Sequence, residues 1–226
     1  KVETIFDTRT FNEESKTTAE EVVDIRVQTN TTGSTGTVTA GPLYDVSSEE
    51  NDCRGITFNN DGTKMFIVGT TGDDVNEYTL STGFDLTSTV NHVGSYAVTQ
   101  CPNPTAVKFN ADGSKMFVTG VGNNNVHEYA LGTDFTVSSA SFTRTLVTTV
   151  DNNNFGLDFK PDGTKMYITG DSNNKIYEFD LSTGFDISTA TFNQDLNVGA
   201  QDGEPFGIEW SPDGKKLFIV GTKHNG

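Results

Sequence analysis

The residues of this chain that could do chemistry fall into short polar clusters rather than into a catalytic motif. Glu49, Glu50, Asp52 and Arg54 stand together, followed by Asp73 and Asp74, by asparagines 123–125 around Asn124, and by the 151–154 run that holds Asn153. Asp202 and Glu204 close the series. Carboxylates and amides so grouped suit glycan hydroxyls, or Ca²⁺, which takes roughly six to eight oxygen ligands. No EF-hand spacing strengthens the metal case, so no cofactor is expected and ordinary polar loops are the plainer reading. Two aromatics, Phe155 and Phe206, occupy the same place in their surroundings as Arg54 and Thr105. They could stack on a sugar ring, although plugging a channel is the simpler use. The histidines His92, His127 and His224 are scattered, and no H-E-x-x-H, G-x-S-x-G or P-loop pattern occurs. His127 therefore reads as a surface residue.

These clusters are spaced by a repeat. GITFNNDGTKMFIVGT from Gly55, AVKFNADGSKMFVTGV from Ala106, GLDFKPDGTKMYITGD from Gly156 and GIEWSPDGKKLFIVGT from Gly207 align without gaps, and Gly62, Gly113, Gly163 and Gly214 lie 51, 50 and 51 residues apart. A period near fifty residues with strand-like alternation inside it marks a propeller blade or a solenoid turn. In each unit a strand A ends at an Asp-Gly turn, where glycine supplies positive φ, and strand B follows. Strand C comes next, as in Val75–Leu80, and then a Ser-Thr-Gly-Phe-Asp turn and a weaker strand D. Asp61, Asp112, Asp162 and Asp213 recur because the turn needs them. Glu77, Glu128 and Glu178 recur in strand C as expected cross-strand partners of Lys64, Lys115 and Lys165.

The Ser211–Val220 segment, SPDGKKLFIV, resembles the strand A to B hairpin of the YVTN, TolB and WD-type β-propeller repeat superfamily. The longer pattern, DGTKM-F/Y-I followed by V-x-E-Y-x-L-S-T-G-F-D, is similar to propeller repeats of marine virion appendage (tail-fibre-like) and microbial surface proteins. The resemblance implies an all-β chain, a β-propeller of four-stranded antiparallel blades, present as an incomplete portion of a larger ring. It divides residues 36–226 into strand D of a preceding blade (36–50), three blades (51–100, 101–151, 152–202) and the first half of another (203–226). It further implies a non-enzymatic structural and binding module, extracellular or displayed on a virion or cell surface, that contacts a host or environmental surface through a surface glycan. An adhesin or filament subunit is the first alternative, and a propeller enzyme, lactonase or glycan hydrolase, the second.

Composition narrows the rest. A net charge of -16 and a pI near 4.4 leave no basic stripe for phosphates, so no nucleic acid is expected. No stretch approaches the ~18 apolar residues of a membrane span. The chain starts at Lys1 without an initiator Met, so the natural N-terminus is expected elsewhere, and the last copy stops within a B to C hairpin, which implies that the polypeptide continues. Residues 1–35 combine two alternating stretches with a Thr/Gly-rich linker. They lie outside the repeat register and are expected to attach the propeller to other subunits of an assembly rather than to complete a blade. Asn30-Thr31-Thr32 is the one N-glycosylation acceptor pattern. Cys53 and Cys101, both just before a strand A in adjacent blades, are expected to form a disulfide.

Overall fold

The structure is a computed structural model that describes residues 2–10, 21–29, 44–200 and 203–222. Its strands run β1 (Val2–Thr10), β2 (Glu21–Thr29), β3 (Cys53–Phe58), β4 (Lys64–Gly69), β5 (Asp74–Leu80), β6 (Val90–Ala97), β7 (Pro104–Phe109), β8 (Lys115–Gly120), β9 (Val126–Leu131), β10 (Ala140–Leu146), β11 (Asn154–Phe159), β12 (Lys165–Gly170), β13 (Lys175–Leu181), β14 (Ala190–Asn197), β15 (Pro205–Trp210) and β16 (Lys216–Gly221). β3 to β6, β7 to β10 and β11 to β14 are three antiparallel meanders, the blades of a β-propeller, and β15–β16 opens a fourth sheet. The four sheets form an arc, not a closed ring, among the described residues.

Two motifs 22 residues apart explain why each repeat folds the same way. Gly62, Gly113 and Gly163 sit in the A to B turns with φ of +71°, +76° and +72°, as expected, and Gly214 has +67°. Positive φ is only half of the requirement. A Cβ on Gly62 would meet the Phe84 ring at 2.3 Å, and Gly113 and Gly163 are covered in the same way by Phe135 and Phe185. Each of these phenylalanines belongs to the C to D turn and donates its amide to the glycine carbonyl, at 3.0 Å for Phe84. The ring then packs at a tilt against the last residue of strand A, Phe58, Phe109 or Phe159. The Asp-Gly turn and the phenylalanine of the C to D turn are thus halves of one contact.

Successive blades are joined by apolar packing and by a repeated charge lock. Phe66 meets Phe109 of the next blade with ring centroids 4.4 Å apart, Phe117 meets Phe159 at 4.6 Å, and Tyr167 meets Trp210 at 5.1 Å. Burial of each such ring contributes about 1.5–3 kcal/mol. Lys64, Lys115 and Lys165 reach Glu77, Glu128 and Glu178 diagonally across strands B and C, at 2.8, 3.1 and 2.5 Å, as expected. The glutamates are buried, so each needs its partner: breaking a buried pair costs about 3–5 kcal/mol. Lys64 and Lys115 also donate to the Phe135 and Phe185 carbonyls in the next blade's turn, and Glu77 accepts the Val137 amide there at 2.8 Å.

The N-terminal hairpin corrects one expectation. β1 and β2 pair antiparallel, and β2 lies parallel to β16 with Lys216 opposite Glu21 and Ile219 opposite Asp24, so this part of residues 1–35 completes the fourth sheet instead of leaving it. The physical reason is the open edge of β16, which templates pairing by a segment of β-branched residues. Residues 36–43 lie outside the described residues. Residues 44–46 are described and form no strand, yet Tyr44 packs edge-on against Tyr78 at 5.9 Å as Tyr96 of blade one packs against Tyr129 at 5.7 Å.

Candidate ligand site

The inner strand of every blade starts with a register shift against its neighbour: between Cys53 and Gly55, Pro104 and Ala106, Asn154 and Leu157, and Pro205 and Gly207. A bulge of this kind re-aims the extra side chain. The residues so released are Arg54, Thr105, Phe155 and Phe206. Each is followed by Gly or Ala, and a Cβ on Gly55 or Gly156 would press on the next inner strand, 2.6 Å from the Thr105 carbonyl oxygen or 2.5 Å from that of Phe206. Small residues therefore let the four inner strands converge on a cavity of about 420 Å3, lined by Arg54, Ile56, Lys108, Phe155, Phe206 and Glu209 among others. Phe155 and Phe206 stand edge to face with centroids 4.3 Å apart. They form one wall of the cavity.

Further along the same strands lies a charge cluster that the sequence reading missed. Lys108 of β7 pairs with Asp158 of β11 at 3.2 Å and with Glu209 of β15, and the Trp210 amide donates to Asp158 at 2.6 Å. Burial raises the Asp158 carboxyl to about 6, against the pull of Lys108. Burial depresses the Lys108 ammonium, and Asp158 and Glu209 more than offset this and hold it above its ordinary range. A signal existed: these residues fill one repeat position, where blade one has Thr57, with a cation and two acids.

Most of the expected loop ligands are engaged in holding the loops. Glu50 accepts from the amides of Asp52, Thr71 and Gly72 at 2.7, 3.2 and 3.1 Å, tying the D to A elbow to the B to C loop. Asp151 does the same in blade three for Asn153, Ser172 and Asn173, and Tyr177 donates to it at 2.9 Å. In both, burial pushes the carboxyl up and these donors outweigh it, leaving it below the usual range. Asp52 takes Arg54 at 2.8 Å and Thr70 at 2.5 Å, Asp73 accepts the Asn103 amide, and Asp74 takes Asn76. The Asn124 carbonyl accepts from Asn154 at 2.7 Å and from Thr148, and Asn153 donates to Asp171. Glu49 accepts from Ser48 and Tyr78, and Glu204 from Thr222. Asp202, Asn30 and His224 lie outside the described residues. Of the candidate ligand residues, the structure brings Arg54, Phe155 and Phe206 together on one cavity.

Two expectations are corrected. Cys53 and Cys101 are free thiols. Their three-residue offset places Cys53 on exposed β3, donating to the Glu50 carbonyl at 3.4 Å, whereas Cys101 is wholly buried in the elbow before β7. His127 is not a surface residue but 2% exposed, hydrogen-bonded through its ring to Thr145 at 2.9 Å and to Asn123 at 3.3 Å. Burial pushes its pKa down to about 4. The expectation rests on the variability of this strand C position, and Thr145 on β10 with Asn123 of the B to C loop gives the ring its partners.

No described protein family matches the chain, and no curated protein does. Among solved structures, the chain is similar to hydrazine synthase from Kuenenia stuttgartiensis, at 19% identity and TM-score 0.52, covering 84% of this chain and 47% of that one. A functionally unknown protein from Desulfotomaculum acetoxidans matches at 16% identity and TM-score 0.52, over 75% of this chain and 51% of that one. The β-propeller domain of Cps50 (Swd1) from Myceliophteria thermophila is 15% identical at TM-score 0.49, over 75% and 50%. The chain spans about half the length of these structures. Likeness at such identity shows the fold alone.

Proposed function

We propose that this chain is a non-enzymatic propeller module that binds a surface glycan at the cavity where its inner strands converge, as part of an extracellular or virion-borne structural assembly. The observation that carries the reading is the bulge-presented Phe155–Phe206 pair on the wall of an open cavity. A pocket of a few hundred Å3 with apolar walls and few polar groups is the usual form of a small-ligand site, and an aromatic face stacks on the C–H face of a sugar ring. The charged groups nearby are ion-paired with one another, which suits recognition better than proton transfer. Placement outside a cell or on a virion rests on the resemblance of the repeat, and attachment to other subunits through residues 1–35 rests on their lack of repeat register and on β1 being the edge strand of the fourth sheet.

The test is binding of the chain to a glycan panel, with Phe155→Ala and Phe206→Ala beside the parent. The expected result is affinity for one or more glycans that falls at least tenfold in both folded variants. Absence of glycan binding, or turnover of a lactone or glycan by the parent chain, would overturn the proposal.

A further inference from the structure

The charge around the cavity points to one class of glycan, an inference that rests on reading the cavity as a glycan site. Two cations line the cavity, and both are already neutralised. Arg54 is held by Asp52, which is itself fixed by Thr70 at 2.5 Å. Lys108 lies between Asp158 and Glu209 and is 13% exposed, so an incoming anion would have to displace a buried carboxylate to reach it. Asp158 is fully committed, to Lys108 on one oxygen and to the Trp210 amide on the other. Glu209 differs. It shares the single Lys108 charge with Asp158, is 67% exposed, and stands on the cavity wall with one oxygen engaged.

The group is therefore one negative charge in excess, and the excess is accessible at Glu209. The same cavity is lined by Phe155 and Phe206, whose ring faces are electron-rich and attract a cation within about 6 Å. We infer that the cavity selects an amino glycan, a sugar bearing a free protonated amine, over neutral, N-acylated or acidic sugars. The sugar face stacks on the phenylalanines while its ammonium meets the outer oxygen of Glu209.

The experiment compares three probes of matched length by calorimetry: β-1,4-linked glucosamine oligomers, their N-acetylated counterparts, and oligogalacturonate. The amine oligomer should bind the parent chain at least tenfold more tightly than the other two, with an affinity that falls as salt rises. Glu209→Gln should remove that preference, while Phe206→Ala should weaken every sugar that binds. Equal binding of acetylated and free-amine oligomers, or preference for galacturonate, would overturn this inference and leave the glycan site standing. Binding of none of the three would overturn this inference, and the glycan panel then decides whether the site itself stands. Because the preference is read on the parent chain, the result does not depend on whether the Glu209→Gln variant folds.

Discussion

Blades one and three fasten their D to A elbow to their own B to C loop with a carboxylate in the elbow, and blade two has no carboxylate at that position. Glu50, Cys101 and Asp151 stand at one repeat position, 19 residues before the glycine that ends strand B in each blade. Glu50 and Asp151 gather the loop amides. In blade two the counterpart amides go elsewhere, Gly122 to the Pro102 carbonyl at 3.2 Å and Asn103 to Asp73 of blade one at 2.8 Å, and Cys101 packs among Phe66, Val68 and Tyr129. The backbone requirement is common to the blades, since buried amides must find acceptors. The means differ, and once a backbone carbonyl and the neighbouring blade's Asp73 supply the acceptors the position is free to become core. The strand C residue next to the elbow follows suit: Tyr177 donates to Asp151, whereas its counterpart His127 faces Asn123.

The largest expected effect comes from forcing one solution on the other. Cys101→Asp places an ionised group in an apolar cluster whose amides are already satisfied, and should cost about 4 kcal/mol by urea denaturation. A loss under about 1 kcal/mol would show that the two kinds of elbow are interchangeable.

Asp151→Ala comes next, because it orphans several buried donors at once; a loss of about 3 kcal/mol is expected. Its folded pKa is depressed, so this stabilisation is present above the unfolded value of 3.8 and is lost as pH falls through the folded one. Asp151→Asn should flatten that acid limb in a plot of melting temperature against pH. An unchanged limb would assign the acid sensitivity to other carboxylates.

His127 sharpens the contrast. Its pKa falls from 6.5 unfolded to about 4 folded, so the unfolded chain binds more protons between these values and stability declines as pH is lowered across that window. The decline should be about 2–3 kcal/mol. His127→Asn, which installs the residue that blade one has at this position, should abolish the pH 4–6.5 component; a variant whose melting temperature keeps the parent's slope would remove His127 as its source.

The smallest effect concerns reactivity alone. Burial raises the Cys101 thiol to about 12 and also raises that of Cys53, but Cys53 is exposed. Alkylation at pH 8 under native, non-reducing conditions should label Cys53 first, and unfolding should release a second equivalent. Finding no label on the unfolded, unreduced chain would restore the disulfide and contradict the free thiols.

How much was legible follows from how local each feature is. The positive-φ glycines, the Lys64–Glu77 type of lock and the antiparallel meander all depend on residues within one repeat, and repetition makes the glycines visible four times and the lock and meander three times. The elbow position is also visible, but an expectation of paired cysteines obscured that Cys101 stands in for an acid. The bulges left no signal beyond a small residue after each of Arg54, Thr105, Phe155 and Phe206.

By itself, the sequence determined the all-β repeat, its turns and its strand partners, because these rest on backbone conformation and on contacts a few residues apart. Only the tertiary structure decided that Lys108, Asp158 and Glu209 meet, that His127 and Cys101 are buried, and that β2 takes the edge of β16. Those outcomes depend on how strands and loops of different repeats, and of distant parts of one blade, come together, and no local propensity encodes a distance between them.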